Sequence, residues 1–322
     1  MANRSDTGKP HLVEIIQAYL LKHIPGYIRL SRALRRCYER YGPNRFLGFA
    51  PPGHFYSPLP DIRFIDRYRA ALFNRQVSSV PGIENNVEEQ LALVARFSDY
   101  YDELPFKDDK SSGLRYYFRN SYFSYGDAII LYSMLRHYRP QKIIEVGSGF
   151  SSALMLDTND LFFSKRMALT FIEPHPERLF SLLNDEDKKR HETVMDIVQD
   201  VQLDRFAALN ARDILFIDSS HVAKIGSDVV HLLTNVLPRL NTGVIIHFHD
   251  VFWPFEYPEE WVRDGIAWNE NYILKAFLQF NANFKILFFN SYLAIHHRDL
   301  LEQKLPLFLK NTGGSLWLEK VS

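Results

Sequence analysis

The stretch that most restricts the fold is Lys142 to Ser152, KIIEVGSGFSS, an apolar run that ends in an acid and breaks into two glycines and small residues. Ile143-Ile144-Glu145-Val146 suits a strand buried on both faces, as in a parallel sheet covered by helices. Gly147 and Gly149 then permit a tight turn and bring backbone N–H groups close to a ligand at the start of a helix. This is the architecture of a nucleotide-type cofactor site. A G-x-G pair alone does not say which cofactor, so the remainder of the chain has to.

Composition removes several classes of function. The 38 basic and 38 acidic residues cancel, which leaves no global electrostatic pull towards nucleic acid or an anionic membrane. The single cysteine, Cys37, excludes an intrachain disulfide and a cysteine-cluster metal site, and suits a packing role in a reducing compartment. No stretch approaches the roughly 20 apolar residues that a membrane span requires, and MANRSDTGKP lacks a signal-peptide core. The sequence therefore reads as a soluble, cytoplasmic chain. One segment, residues 11–41, is amphipathic and basic, with Arg29, Arg32, Arg35, Arg36 and Arg40 at helical spacings. It leaves peripheral membrane contact or partner docking open beside a plain solvated helix face.

Residues 1–110 do not alternate strands with helices and read as a mainly helical accessory segment, with helices near 11–41 and 85–101 and the stiff, aromatic PPGHFYSPLPD between them. The polar KDDKSSG at 107–113 marks an exposed loop, and residues 111–322 form the second domain. There a helix at 127–137 leads into strands at about 142–146, 168–172, 193–198, 213–217 and 243–248, with helices near 224–237 and 269–280 and two further strands, FKILFFN and GGSLWLEKV. The alternation predicts an α/β fold with a mostly parallel sheet.

In such a sheet the strands deliver their C-terminal ends to one edge, where ligands bind. Those ends carry Glu145 with the glycine turn, Glu173, Asp200, Asp218 with Ser219, Ser220 and His221, and His247, His249 and Asp250. An acid at Glu173, some 20 to 30 residues after the glycine turn, is placed to accept hydrogen bonds from ribose hydroxyls. The third glycine of a dinucleotide-binding turn is absent, which weakens NAD and favours a nucleoside cofactor without a pyrophosphate.

EVGSGFSS, FIEP, DILFIDSSHVAKIGSDV, GVIIHFHDVFWPFEYP, WNENYIL and GGSLWLEK together resemble the class I S-adenosylmethionine-dependent methyltransferases. More narrowly they are similar to a bacterial branch associated with sugar and polysaccharide biosynthesis. The resemblance covers residues 115 to 322 and implies a Rossmann-like seven-stranded sheet of order 3-2-1-4-5-7-6 with the last strand antiparallel. It implies that Glu145, Gly147 and Gly149 line the methionine part of the cofactor, Glu173 binds the ribose and Asp200 the adenine end.

It further implies a metal-assisted O-methyltransferase centre, in which Asp218 and Asp250 hold a divalent cation and His221 serves as general base. His249 stands where related enzymes have an acid, so the metal set would be Asp218, Asp250 and His249, or no metal binds and His249 contacts the substrate. Trp253, Tyr257, Trp268, Asn269 and Glu270, in the aromatic loop after Asp250, are candidates for a glycan or other polyhydroxylated small-molecule acceptor. Left open are an NAD-dependent oxidoreductase, an iron-dependent hydroxylase built on His221, His249 and Asp250, and a non-catalytic cofactor-binding partner subunit. A homo-oligomer is compatible with all of these.

Overall fold

The apolar runs fold as β1 (Lys142–Val146), β2 (Ala168–Ile172), β3 (Glu192–Val194), β4 (Ile214–Ile217), β5 (Ile245–Phe248), β6 (Phe284–Phe289) and β7 (Leu316–Lys320). They form one sheet of order β3-β2-β1-β4-β5-β7-β6. β1 to β5 pair in parallel, and β7 runs antiparallel between β5 and β6. This is the order the resemblance implies. The computed structural model describes Tyr19 and residues 49–322. Apart from Tyr19, the basic segment 11–41 lies outside the described residues, and so does Cys37.

Two compact units divide the chain, residues 1–67 and 68–322. In the described part of the first, His54 stacks on Phe55 and Tyr56 packs tilted against both, with Phe55 and Tyr56 exposed. The second unit contains the sheet together with the helix Val87–Tyr101, which packs on β6 and on the helix Tyr125–Tyr138. The unit boundary thus falls well before 110, where the alternating pattern begins. Among the described residues no helix is long and apolar enough to cross a membrane.

The central strands are buried on both faces because every side chain from Ile214 to Ile217 and from Ile245 to Phe248 is covered. Phe171, Phe216, Phe248 and Trp317 are among the largest fully buried groups, each worth about 1.5 to 3 kcal/mol of transfer free energy. The helix Tyr125–Tyr138 ends where Arg139 turns left-handed (φ 52°) and donates its N–H to the Leu135 carbonyl, with Pro140 following. Arg115 fastens the segment before this helix, pairing with Asp157 at 2.7 Å and Asp187 at 2.7 Å.

Three elements are shorter than the pattern predicts. β3 stops at Val194, and residues 198–200 form a single 3-10 turn. β5 begins at Ile245 because Gly243, at φ +84°, still belongs to the turn. The helix expected from 224 starts at Asp228, where Ser227 Oγ accepts the Val230 N–H at 3.3 Å, and it continues as a π-helical turn at Leu232–Val236.

Strand register decides which groups meet. Val146 pairs with Ile172 and with Ile217, and Ile217 pairs with Phe248. The next residues, Gly147, Glu173, Asp218 and His249, therefore leave the sheet at the same edge. Because Phe248 also pairs with Leu316 of antiparallel β7, the segment Gly313-Gly314-Ser315 reaches that edge from the other direction.

Candidate functional site

At the glycine turn, Gly147 has φ +80° and donates its N–H to the Ile172 carbonyl at 3.0 Å. A Cβ built there would overlap the Asp218 carbonyl oxygen, so the turn requires glycine. Gly149 caps the helix Phe150–Phe162, its N–H donated to Ser152 Oγ at 2.9 Å. Glu145 lies beneath this turn. It is fully buried and accepts hydrogen bonds from Ser151 Oγ at 2.6 Å and from Ser152 Oγ. Burial pushes its carboxyl up to about 8, against the partial offset of the serine hydroxyls. Glu145 thus braces the turn from below and does not line the cleft above it, which departs from the role the resemblance implied.

Above the turn lies a cleft of about 490 Å³ lined by Gly147, Glu173, Val198, Gln199 and Asp218, among others. Glu173 accepts the Ser148 N–H at 3.0 Å on one carboxylate oxygen and the His175 N–H at 2.8 Å on the other. Each oxygen keeps a lone pair for a further donor such as a ribose hydroxyl. Asp200 does not reach this cleft. It sits exposed at the end of the 3-10 turn, and Ile197, Val198 and Gln199 form the wall where an adenine-binding acid was expected. The early end of β3 is the cause, since the chain turns before Asp200 can face inwards.

A second cleft, of about 750 Å³, is lined by Asp127, Asp218, His221, His249, Asp250 and Trp268 together with groups described below. Asp218 belongs to both clefts. His221, at φ 59°, is buried, with Nε2 3.4 Å from Asp218 and 3.6 Å from Asp250, and Nδ1 2.9 Å from Glu270. Glu270 is itself buried, and its other oxygen accepts Ser219 Oγ at 3.0 Å. The His221 carbonyl accepts the N–H groups of Asn269 and Glu270, so the two loops are locked together. Burial alone would lower the imidazole pKa, but its bonds to Asp218 and Glu270 prevail and raise it to about 10. Desolvation likewise opposes ionisation of Asp218, yet the charge of His249 and the His221 hydrogen bond hold it below the ordinary carboxylate value.

His249 is buried, 3.6 Å from Asp250 through Nε2, while its Nδ1 has no hydrogen-bond partner. His247 is buried away from the cleft, stacked on Phe216 at 3.8 Å with Nε2 2.9 Å from Ser315 Oγ. The Ser315 hydroxyl donates to Asp127 at 2.6 Å, so the His247 contact must be a donation from Nε2–H.

Among the described residues no group of three or more His, Cys, Asp or Glu side chains is arranged to hold a metal ion. Asp218 and Asp250 lie 3.4 Å and 3.6 Å from one imidazole nitrogen, Nε2 of His221, and His249 Nε2 lies 3.6 Å from Asp250.

Of the acceptor-side candidates, Trp268 lines the cleft and lies over His221 at 4.3 Å between ring centres. Asn269 clamps the loop through both backbone groups of Ala223. Trp253 and Tyr257 are fully buried anchors, the former donating Nε1–H to the Val77 carbonyl at 2.6 Å. Tyr122 lies at the rim with the Arg178 guanidinium 3.8 Å above its ring, whereas Phe123 fills the core beside His249. The sequence did not mark Asp127. It accepts from Gly314 N–H, Ser315 Oγ and Asn290 Nδ2, and burial raises its pKa to about 6. Nothing local to Gly126-Asp127 signals this, because its partners come from the segment just before β7 and from the residue after β6.

The sheet order with β7 antiparallel, and the glycine turn and acids at its C-terminal edge, define a class I methyltransferase fold. Residues 144–251, about a third of the chain, match the family model described as a methyltransferase domain. The chain is 38% identical over 129 residues to an uncharacterized protein of Archaeoglobus fulgidus, an alignment that covers 39% of this chain and 58% of that one. Among solved structures it is similar to the O-methyltransferase TomG of Streptomyces achromogenes in complex with S-adenosylmethionine, at 14% identity, 80% and 96% coverage and a TM-score of 0.41. It is also similar to an S-adenosylhomocysteine-bound methyltransferase of Podospora anserina, at 16% identity, 81% and 96% coverage and a TM-score of 0.39.

Proposed function

We propose that this protein transfers the methyl group of S-adenosylmethionine to a hydroxyl oxygen of a sugar, glycan precursor or other polyhydroxylated small molecule. The single observation that supports the reading most directly is that Asp218 is common to two clefts, one at the glycine turn and one around His221. A donor in the first and an acceptor in the second would meet at that wall. When bound, the donor supplies a methyl group on a positively charged sulfur.

In this reading Gly147 and the Ser148-Gly149 backbone cradle the donor, Glu173 accepts from its ribose hydroxyls, and Gln199 faces its base. In-line displacement then requires an aligned acceptor oxygen and removal of its proton. His221 is the base, oriented by Glu270 on Nδ1 and presenting Nε2 between Asp218 and Asp250. At rest the three carboxylates hold a proton on it. Next to a bound sulfonium, Asp218 and Asp250 hold that proton less firmly, and the imidazole is freed to accept one from the substrate. The half-buried Trp268 ring in the cleft wall suits a sugar ring.

Isothermal titration with S-adenosylhomocysteine, followed by incubation of methyl-labelled S-adenosylmethionine with nucleotide sugars and glycan extracts with and without EDTA, tests the proposal. Saturable binding and label transfer to an acceptor are expected. No binding of S-adenosylhomocysteine would end the methyl-transfer reading, and the EDTA arm reports directly on a divalent cation.

A further inference from the structure

Arg75 enters the acceptor cleft from a segment far from the strand ends. The other half-buried arginines among the described residues are Arg115, Arg136 and Arg190, and each has a carboxylate partner: Asp157 at 2.7 Å, Glu103 at 2.7 Å and Asp187 at 3.2 Å. Arg75 makes no hydrogen bond or ion pair with any described residue. Glu256 and Glu260 act on it through space but stand beyond ion-pair distance, and Glu256 is occupied by the Tyr272 hydroxyl at 2.6 Å and the Tyr257 N–H at 3.0 Å. A half-buried guanidinium with no hydrogen-bonded carboxylate keeps its N–H donors free for a ligand's oxyanion.

The side chain is nevertheless placed against the cleft wall. Its guanidinium lies 5.8 Å from the centre of the Phe252 ring, two residues after Asp250. Its backbone is tethered two residues on, where the Val77 carbonyl accepts both Trp253 Nε1–H and His296 Nε2. From Phe252 an aromatic wall runs to the reacting end: Phe252 to Trp261 at 5.2 Å, Trp261 to Trp268 at 5.6 Å, Trp268 to His221 at 4.3 Å. The second arginine of the cleft, Arg178, is exposed and lies over the Tyr122 ring at the rim, 3.8 Å from its centre.

We propose that Arg75 binds an anionic group, a phosphate or a carboxylate, carried by the methyl acceptor at the end of the molecule remote from the methylated hydroxyl. This rests on the acceptor-cleft reading above and narrows it to acidic or phosphorylated polyhydroxylated compounds. The aromatic wall would carry the body of the acceptor between the two ends, and the planar guanidinium would take the oxyanion in a two-pronged hydrogen bond.

The test uses the full chain saturated with S-adenosylhomocysteine, titrated calorimetrically with inorganic phosphate, glucose 1-phosphate, glucuronate and methyl glucoside. Saturable binding of the phosphorylated or the carboxylated probe is expected, the two arms telling the sources apart. Arg75→Gln should weaken that binding about tenfold or more and Arg75→Lys by less, with methyl glucoside and S-adenosylhomocysteine binding unchanged. Equal affinity in wild type and Arg75→Gln, or no saturable anion binding by wild type, overturns the proposal. So does loss of S-adenosylhomocysteine affinity in Arg75→Gln with anion binding kept, which would move Arg75 to the donor.

Should Arg75→Gln not fold, phenylglyoxal labelling of the wild type, mapped by peptide mass, decides the matter: anions but not methyl glucoside must protect Arg75, and equal labelling refutes the idea. Failure of the methyl-transfer reading is seen separately, as absence of S-adenosylhomocysteine binding by the wild type, and the anion titrations are then read on the unliganded chain.

Discussion

His221 and Glu270 are 49 residues apart in the chain and 2.9 Å apart in space, joined through Nδ1 and Oε2. The contact fixes which imidazole nitrogen faces the cleft, because a buried carboxylate on one side leaves only Nε2 for Asp218, Asp250 or a ligand. Glu270 is thus a positioning residue. Glu270→Gln should lower kcat about tenfold or more while leaving S-adenosylhomocysteine affinity intact. Removing that negative charge also lowers the His221 pKa, so the rising limb of the pH–rate profile should move to lower pH. An unshifted limb with normal kcat would show that Glu270 only fills space.

Glu173 has two functions in the same place. It receives the Ser148 and His175 N–H groups and faces the donor cleft. Glu173→Gln keeps an acceptor for the turn but loses charge, and S-adenosylhomocysteine should bind about tenfold more weakly, a cost of about 1.4 kcal/mol. Glu173→Ala should weaken binding further and also lower Tm, since two backbone donors lose their acceptor at about 1 kcal/mol each. Unchanged affinity in both variants would remove Glu173 from the donor site.

The glycine turn separates two kinds of glycine. Gly147→Ala places a Cβ into the Asp218 carbonyl at φ +80° and should cost more than about 3 kcal/mol, abolishing donor binding. Gly113 has φ +87° but open space around it, so Gly113→Ala should cost only about 1 kcal/mol. Chemical denaturation of the two variants measures the difference.

Glu145 carries a pH dependence of stability. Its folded pKa of about 8 lies above the ordinary glutamate value of 4.5, so between those values the folded chain holds a proton that the unfolded chain has released. Stability from this group therefore falls as pH rises from about 4.5 to about 8, and the full penalty, on the order of 5 kcal/mol, is in place above that range. Glu145→Gln should flatten the urea-midpoint profile between pH 5 and 8 and be relatively more stable at the alkaline end. A wild-type profile that rises with pH over this range, unchanged in the variant, would contradict the assignment.

The amino-acid sequence by itself determined the sheet and the rim. Runs such as KIIEV, ALTFI and DILFI are buried on both faces, and each is followed at once by the glycine or acid that cannot continue it, so the positions of Gly147, Glu173 and Asp218 are local information. Parallel pairing then carries them to one edge without reference to anything distant. Tertiary structure alone decided where side chains point once the strands ended. It turned Glu145 beneath the glycines and left Asp200 outside the cleft, because a strand end specifies a residue's position but not which of several neighbours can solvate its charge. It also supplied the partners: Glu270 for His221, Ser315 for Asp127 across 188 residues, and Phe252 for Arg75. A buried charge is stabilised by whatever packing brings beside it, and no local pattern of residues records that choice.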